Sequence, residues 1–214
     1  MRAAGWSTWM VLVAGLALQA PVAAQDAGTS PQPQPAVDTW QLPFALPDRR
    51  ALRSITVVSV FGAARQSYVR GHIHTGLDLV PRRPGRGPIE VLAMAPGRVC
   101  SIHLSDPHLT VVVEHRLLDG TTLFTSYKHL ARADVVEGQQ VTAATRVGVL
   151  YTRAQARELG GNYDHLHLEI RTRFDDAGAA SWTTMTRQEL ARRFVDPLVF
   201  LKQEFEAREV RSRP

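Results

Sequence analysis

His165-Leu166-His167-Leu168-Glu169-Ile170 alternates polar and apolar residues without a break. That is the period of a β-strand, so His165, His167 and Glu169 share one face while the two leucines and Ile170 point to a core. Residues two apart in a strand lie about 6.6 Å apart. Both imidazoles can therefore address one small volume, one as a metal ligand and the other beside it. Alone, the pattern also describes a half-exposed strand that happens to carry polar groups. Glu169 reads equally as a carboxylate supporting a ligand and as one facing solvent.

Working outward, the other segments rich in branched residues are equally short and bounded by Gly or Pro. They are Ser54–Phe61, Gly76–Val80, Ile89–Ala93, Val99–Leu104, Leu109–His115 and Thr121–Tyr127, with His165–Arg171 closing the set. Asp119-Gly120 between two of them reads as a tight hairpin turn. Helical pattern is confined to Thr152–Leu159, Thr186–Phe194 and Phe200–Arg208, and there is no βαβ rhythm. These observations imply a mainly β protein: an antiparallel β-sheet, two-layer or folded, with short peripheral helices.

A second polar pair stands in His74-Thr75-Gly76-Leu77-Asp78. Four residues of straight strand would hold the two side chains about 13 Å apart, too far for one zinc at roughly 2 Å from each ligand. The chain must bend between them, and Gly76 permits it. Read with the first segment, this offers two histidines and a carboxylate with a fourth position open to water, the donor set of a catalytic zinc rather than a closed structural one. Tyr127-Lys128-His129-Leu130 ends another strand signal, which places His129 at a strand end beside a loop,.

In these segments the chain resembles the lysostaphin-type, or LytM-like, zinc metallopeptidases. Gly71-His72-Ile73-His74-Thr75-Gly76-Leu77-Asp78 is similar to that family's first ligand segment, and the resemblance implies His74 and Asp78 as zinc ligands. It likewise implies His167 as the third ligand and His165 and His129 as the catalytic histidines. The connecting stretches Pro88–Ala93, Ala95–Val99, Val135–Val141, Val147-Gly148 and Asp196-Pro197-Leu198 also match, so the likeness runs over 61–201. One zinc per chain and hydrolysis of peptide cross-links in bacterial peptidoglycan follow as expectations. Two other readings stay open: a catalytically silent module that binds or activates another envelope enzyme, and a zinc peptidase acting on proteins. The sequence departs from the family at Tyr151–Asp164, where Asp164 replaces the usual proline before His-x-His, and at Arg82–Gly87 and Arg171–Thr186.

The ends bound the compartment. Arg2, the apolar run Trp9–Ala20 and the small residues Val22-Ala23-Ala24 read as a signal peptide over 1–24, cleaved before Gln25,. The apolar run is short for a membrane span and Pro21 follows it, so no integral segment is expected once the leader is removed. Residues 25–39 read as a disordered Pro-rich tether, and 40–214 as one peptidase domain. The protein is thus expected to be exported, periplasmic or secreted. Cys100 is the single cysteine, so no internal disulfide can form, and it reads as a small buried hydrophobe. The formal charge of +5 suits an anionic envelope. Scattered arginines and export argue against a nucleic-acid partner, and a monomer is the default. Tyr127 is expected to share a face with His129 and to orient it or touch substrate.

Overall fold

Each expected strand segment forms a strand, and most of them join one dominant sheet. A computed structural model describes residues 34–66, 69–174 and 184–211; the expected leader and the tether as far as residue 33 lie outside the described residues. In chain order the strands are β1 (Ala36–Val37), β2 (Ile55–Ser59), β3 (Leu77–Pro81), β4 (Glu90–Leu92), β5 (Gly97–His103), β6 (Thr110–Leu117), β7 (Thr122–Lys128), β8 (Leu130–Ala133), β9 (Gln140–Val141), β10 (Arg146–Leu150), β11 (Leu166–Arg171) and β12 (Phe194–Val195). The helices are α1 (Arg153–Glu158), α2 (Arg187–Arg193) and α3 (Pro197–Arg211).

The larger sheet runs β2-β3-β11-β7-β6-β5-β9, with β12 beside β11 and β1 beside β6; the smaller runs β4-β10-β8. Every pairing is antiparallel except β1 with β6. The core gathers residues of both sheets. Leu77, Leu79, Leu166, Leu168 and Ile170 of the larger one share a single cluster with Leu130, Val147 and Val91 of the smaller, and Leu201 of α3 joins them. The hairpin turn falls as expected. Gly120 takes φ +84°, a conformation open to glycine, and the Asp119 carboxylate accepts from the Thr121 N–H and hydroxyl,.

Three expectations change. The last tether residues are ordered: Ala36–Val37 pair with Arg116–Leu117, and Val37 is buried in the core. Its apolar side chain supplies the burial that the polar composition upstream lacks. The last helix begins earlier than expected because Asp196 caps it, accepting from Leu198 N at 2.9 Å, with Pro197 at the first helical position,. Tyr127 belongs to the core rather than the site. It is fully buried, and its hydroxyl accepts from the Met94 N–H at 2.9 Å. Strand alternation stops at Lys128, because His129 adopts φ +68°, so the two residues do not share a face. The shorter helices keep their expected places, each with a capping box, Thr152 with Gln155 and Thr186 with Glu189,.

Strand register builds a polar row across the face opposite the core. Ser59 lies opposite Asp78, Asp78 opposite His167, His167 opposite Lys128, and Lys128 opposite Thr110. Five strands thus contribute to one line of side chains, and the candidate site stands on it.

Candidate metal centre

His74 precedes β3, Asp78 is the second residue of β3, and His167 faces Asp78 from β11. The chain bends at Gly76, as expected, immediately before β3. Its φ is not in the left-handed region; what it provides is space. A Cβ there would collide with the Leu168 carbonyl and lie 2.9 Å from His167 Nε2.

The three donor atoms converge. His74 Nε2 lies 3.0 Å from Asp78 Oδ1 and 2.9 Å from His167 Nδ1, and His167 Nδ1 lies 2.9 Å from Asp78 Oδ1. The outer ring nitrogens decide what these atoms can do. His74 Nδ1 donates to the Val60 carbonyl at 2.7 Å, which leaves a lone pair on Nε2. His167 Nε2 donates to Glu169 Oε1 at 3.0 Å, which leaves a lone pair on Nδ1. Two nitrogen lone pairs and a carboxylate oxygen therefore point at one spot. Such a set is favourable only around a positive charge, and the fixed tautomers are those of metal-ligating histidines. The residues present fit a zinc ion.

The surroundings reinforce that charge preference. Burial works against an ionised Asp78, yet the close approach of His165, His167 and His74 holds its carboxyl far below the usual range. Burial likewise opposes a charged His167, but the carboxylates of Asp78 and Glu169 outweigh it and raise the ring's pKa. Glu169 is buried, which removes the solvent-facing alternative. It accepts from Thr75 Oγ1 at 2.5 Å and from Arg171 Nε at 2.8 Å. Burial opposes its charge too, and Arg171 and Lys128 keep it ionised. On the other side, Arg65 Nη2 donates to Asp78 Oδ2 at 2.5 Å.

The two histidines expected to be catalytic flank this cluster. His165 Nε2 is 3.6 Å from Asp78 Oδ1. The His129 ring centroid lies 5.1 Å from that of His165 and 6.1 Å from that of His167. His129 Nδ1 donates to the Pro107 carbonyl at 2.8 Å, so Nε2 carries the lone pair. Burial, with the positive fields of His167, His165 and Lys128, keeps this ring neutral. All five expected site residues thus meet in one place.

They line a groove of about 1000 Å³ to which the sequence reading had not assigned His72, Arg65, His108, Lys128 or Tyr163. Tyr163 packs its ring 5.2 Å from His129, on the loop that departs from the family pattern. Lys128 sits inside the Tyr-x-His-Leu segment, a position that could have flagged it. Burial lowers its pKa to about 8, against the opposing pull of Glu169 and Asp78. Cys100 is half-buried and its thiol is pushed up to about 11 by burial and by Glu114, so it is no nucleophile,.

Two histidines and one aspartate thus converge on an antiparallel sheet as a set that could hold a metal ion, and they open into a groove with further histidines. The chain belongs to Peptidase family M23, whose sequence profile matches residues 72–179. Several solved structures are similar in fold. The catalytic domain of the antimicrobial peptidase lysostaphin from Staphylococcus simulans is 20% identical, the match covering 71% of this chain and 95% of that one, with a TM-score of 0.46. In the complex of SpoIIIAH and SpoIIQ the matching chain is 21% identical, with coverage of 76% and 99% and a TM-score of 0.46. A zinc containing peptidase from Vibrio cholerae is 22% identical, with coverage of 64% and 37% and a TM-score of 0.42. No curated protein matches the chain.

Proposed function

We propose that this chain is a zinc-dependent endopeptidase that cleaves peptide cross-links of bacterial peptidoglycan, with His74, Asp78 and His167 holding one zinc and His129 and His165 serving proton transfer. The observation that carries this reading is the convergence of three lone-pair donors whose outer atoms are already committed to Val60, Glu169 and Arg65. A zinc ion bound there would lower the pKa of a water molecule and polarise the scissile carbonyl. His129 brings a neutral ring with its lone pair on Nε2, the state required of a group that takes a proton from the nucleophile. His165 stands beside it to stabilise charge on the carbonyl oxygen and to pass a proton to the leaving amine. The net change is addition of hydroxyl to the carbonyl carbon and of a proton to the amine nitrogen as the C–N bond breaks.

The leader-like start at 1–24 and the basic charge favour an exported protein that meets its substrate in the envelope. Among the described residues no helix is long and apolar enough to cross a membrane. N-terminal sequencing of the exported protein is expected to start at or near Gln25, and an intact Met1 on cytoplasmic protein would remove the wall substrate from consideration.

Metal analysis and wall-peptide turnover, measured on the same preparations, test the catalytic reading. Wild type is expected to hold one zinc and to cleave; His167→Ala and Asp78→Ala are expected to lose both. Wild-type protein that stays metal-free in the presence of added zinc, with no turnover, would end this proposal.

A further inference from the structure

The groove beside the donor triad is short of negative charge. Of the charged residues that line it among the described residues, Arg65, Lys128 and Arg153 are cationic, while only Asp78 and Asp164 are anionic. Asp164 is engaged by Arg153 at 3.2 Å, and Asp78 faces the other donors through Oδ1. Lys128 lies buried against the field of Glu169. That leaves Arg65 as the cation presented to the groove beside the donor triad.

Its geometry is specific. Oδ2 of Asp78 accepts from a single terminal nitrogen of Arg65. A guanidinium carries five N–H groups in a planar fork, and among the described residues no other side-chain bond of Arg65 is formed. The side chain keeps 28% of its surface exposed and lines the groove. The backbone beneath it is fixed, because Arg65 N donates to the His72 carbonyl and the Arg65 carbonyl accepts from Gly71 N. The fork therefore stands one carboxylate group away from the point where the three donors converge. That separation is within the reach of one residue, consecutive Cα atoms being about 3.8 Å apart.

Resting on the peptidase reading above, the geometry points to Arg65 as a specificity-determining residue that binds a free carboxylate carried by a substrate residue next to the scissile amide. A planar guanidinium pairs with a carboxylate through two parallel hydrogen bonds, which a lysine cannot reproduce. The favoured substrate is then a cross-link that retains a carboxylate on a residue next to the scissile amide, in preference to a neutral bridge. The competing role is purely positional: Arg65 would only orient Asp78, and substrate charge would be irrelevant.

Two peptides identical except for that group, one with the carboxylate and one with a carboxamide, separate these roles in zinc-loaded wild type, Arg65→Gln and Arg65→Lys. Wild type is expected to favour the carboxylate about 10- to 100-fold, mainly through KM, and Arg65→Gln to bring that ratio close to one while Arg65→Lys retains part of it. Zinc content and chelator competition, measured in parallel, are expected to change far less than the ratio. Equal use of both peptides by wild type, or equal loss of both in Arg65→Gln together with zinc, would overturn the assignment. If wild type holds zinc and cleaves neither peptide, the peptidase reading falls, and calorimetry with a non-hydrolysable pair decides the matter for Arg65. Selective binding of the carboxylate form by wild type and not by Arg65→Gln upholds the proposal, and equal binding of both forms refutes it.

Discussion

Strand β11 has two faces that are buried to almost the same degree and held by opposite means. Leu166, Leu168 and Ile170 are fully buried on one side; His167, Glu169 and Arg171 are 7%, 0% and 3% exposed on the other. The apolar face is stabilised by removal from water, about 25 cal/mol per Å² of apolar surface. The polar face would be destabilising unless each group found partners, and it has them in sequence. Arg171 binds Glu169, Glu169 binds His167 and Thr75, and His167 faces His74 and Asp78. The lesson is directional. Packing on the first face tolerates many apolar shapes, whereas the chain of bonds on the second fixes a tautomer and aims a lone pair.

The largest effects should fall on function, on the polar side. His129→Ala and His165→Ala are expected to retain zinc and to lose about 10²- to 10⁴-fold in rate, the range for removal of a proton-transfer group. Zinc analysis beside peptide cleavage reads both at once. Near-wild-type cleavage by both variants would refute the assigned roles even with metal present. Loss of zinc from His165→Ala, with zinc kept in His167→Ala, would instead reverse which of the pair is the ligand.

Leu168→Ala inverts that pattern. Leu168 is fully buried, so its truncation is expected to lower unfolding free energy by about 2–5 kcal/mol. Urea denaturation checks the loss, and the protein that remains folded is expected to keep its zinc stoichiometry. Zinc lost in proportion to core truncation would mean that the two faces are not separable.

His115 sharpens the comparison, because it is a histidine on the core side. It follows Val111 and Val113 in the alternation of β6, and both its ring nitrogens are engaged, Nδ1 with the Pro96 carbonyl and Nε2 with the Thr125 hydroxyl, each at 2.8 Å. No lone pair is left to aim at a ligand. Burial lowers its pKa from 6.5 to about 4, so the folded state holds it neutral while the unfolded chain protonates first. The stability it contributes is present above pH 6.5 and is lost as pH falls towards 4, a drop of about 3 kcal/mol at 1.4 kcal/mol per unit. Urea midpoints between pH 4 and 7 for wild type and His115→Gln should differ in slope. Parallel profiles would show that this ring titrates normally.

Much of this organisation was legible in the chain. Strict alternation at 165–170 disclosed both faces of β11, and the hairpin and helix caps have local chemistry that spacing alone reveals. β8 and β10 were not foreseen, since Leu130–Ala133 is half alanine and Gly148 interrupts Arg146–Leu150; both are strands because tertiary pairing overrides weak local preference. That His74, Asp78, His129, His165 and His167 would gather at one place was legible because their motifs are contiguous. Arg65, His108 and Tyr163 were not, because what gathers them is loop geometry at positions that follow no period. Tyr127 was misplaced for a related reason: the left-handed turn at His129 ends the alternation, and no residue type announces it.

Tyr127 therefore gives the smallest and most discriminating test. Its ring belongs to the core face and its hydroxyl meets the Met94 N–H at 2.9 Å and the Thr125 hydroxyl at 3.0 Å, the latter leading on to His115. Tyr127→Phe keeps the ring and removes the hydroxyl. A buried backbone N–H then loses its acceptor, which costs about 1–3 kcal/mol before any relaxation. Because the ring still fills its space, the expected loss of unfolding free energy is about 1 kcal/mol. Turnover and zinc content are expected to match wild type, since no atom of Tyr127 lines the groove. If the tyrosine instead oriented His129 or met substrate, Tyr127→Phe would lower kcat or raise KM with stability unchanged. Denaturation and peptide kinetics on this one variant thus decide on which side of the sheet Tyr127 acts: a stability loss without a kinetic one places it with the leucines, and the converse returns it to the histidines.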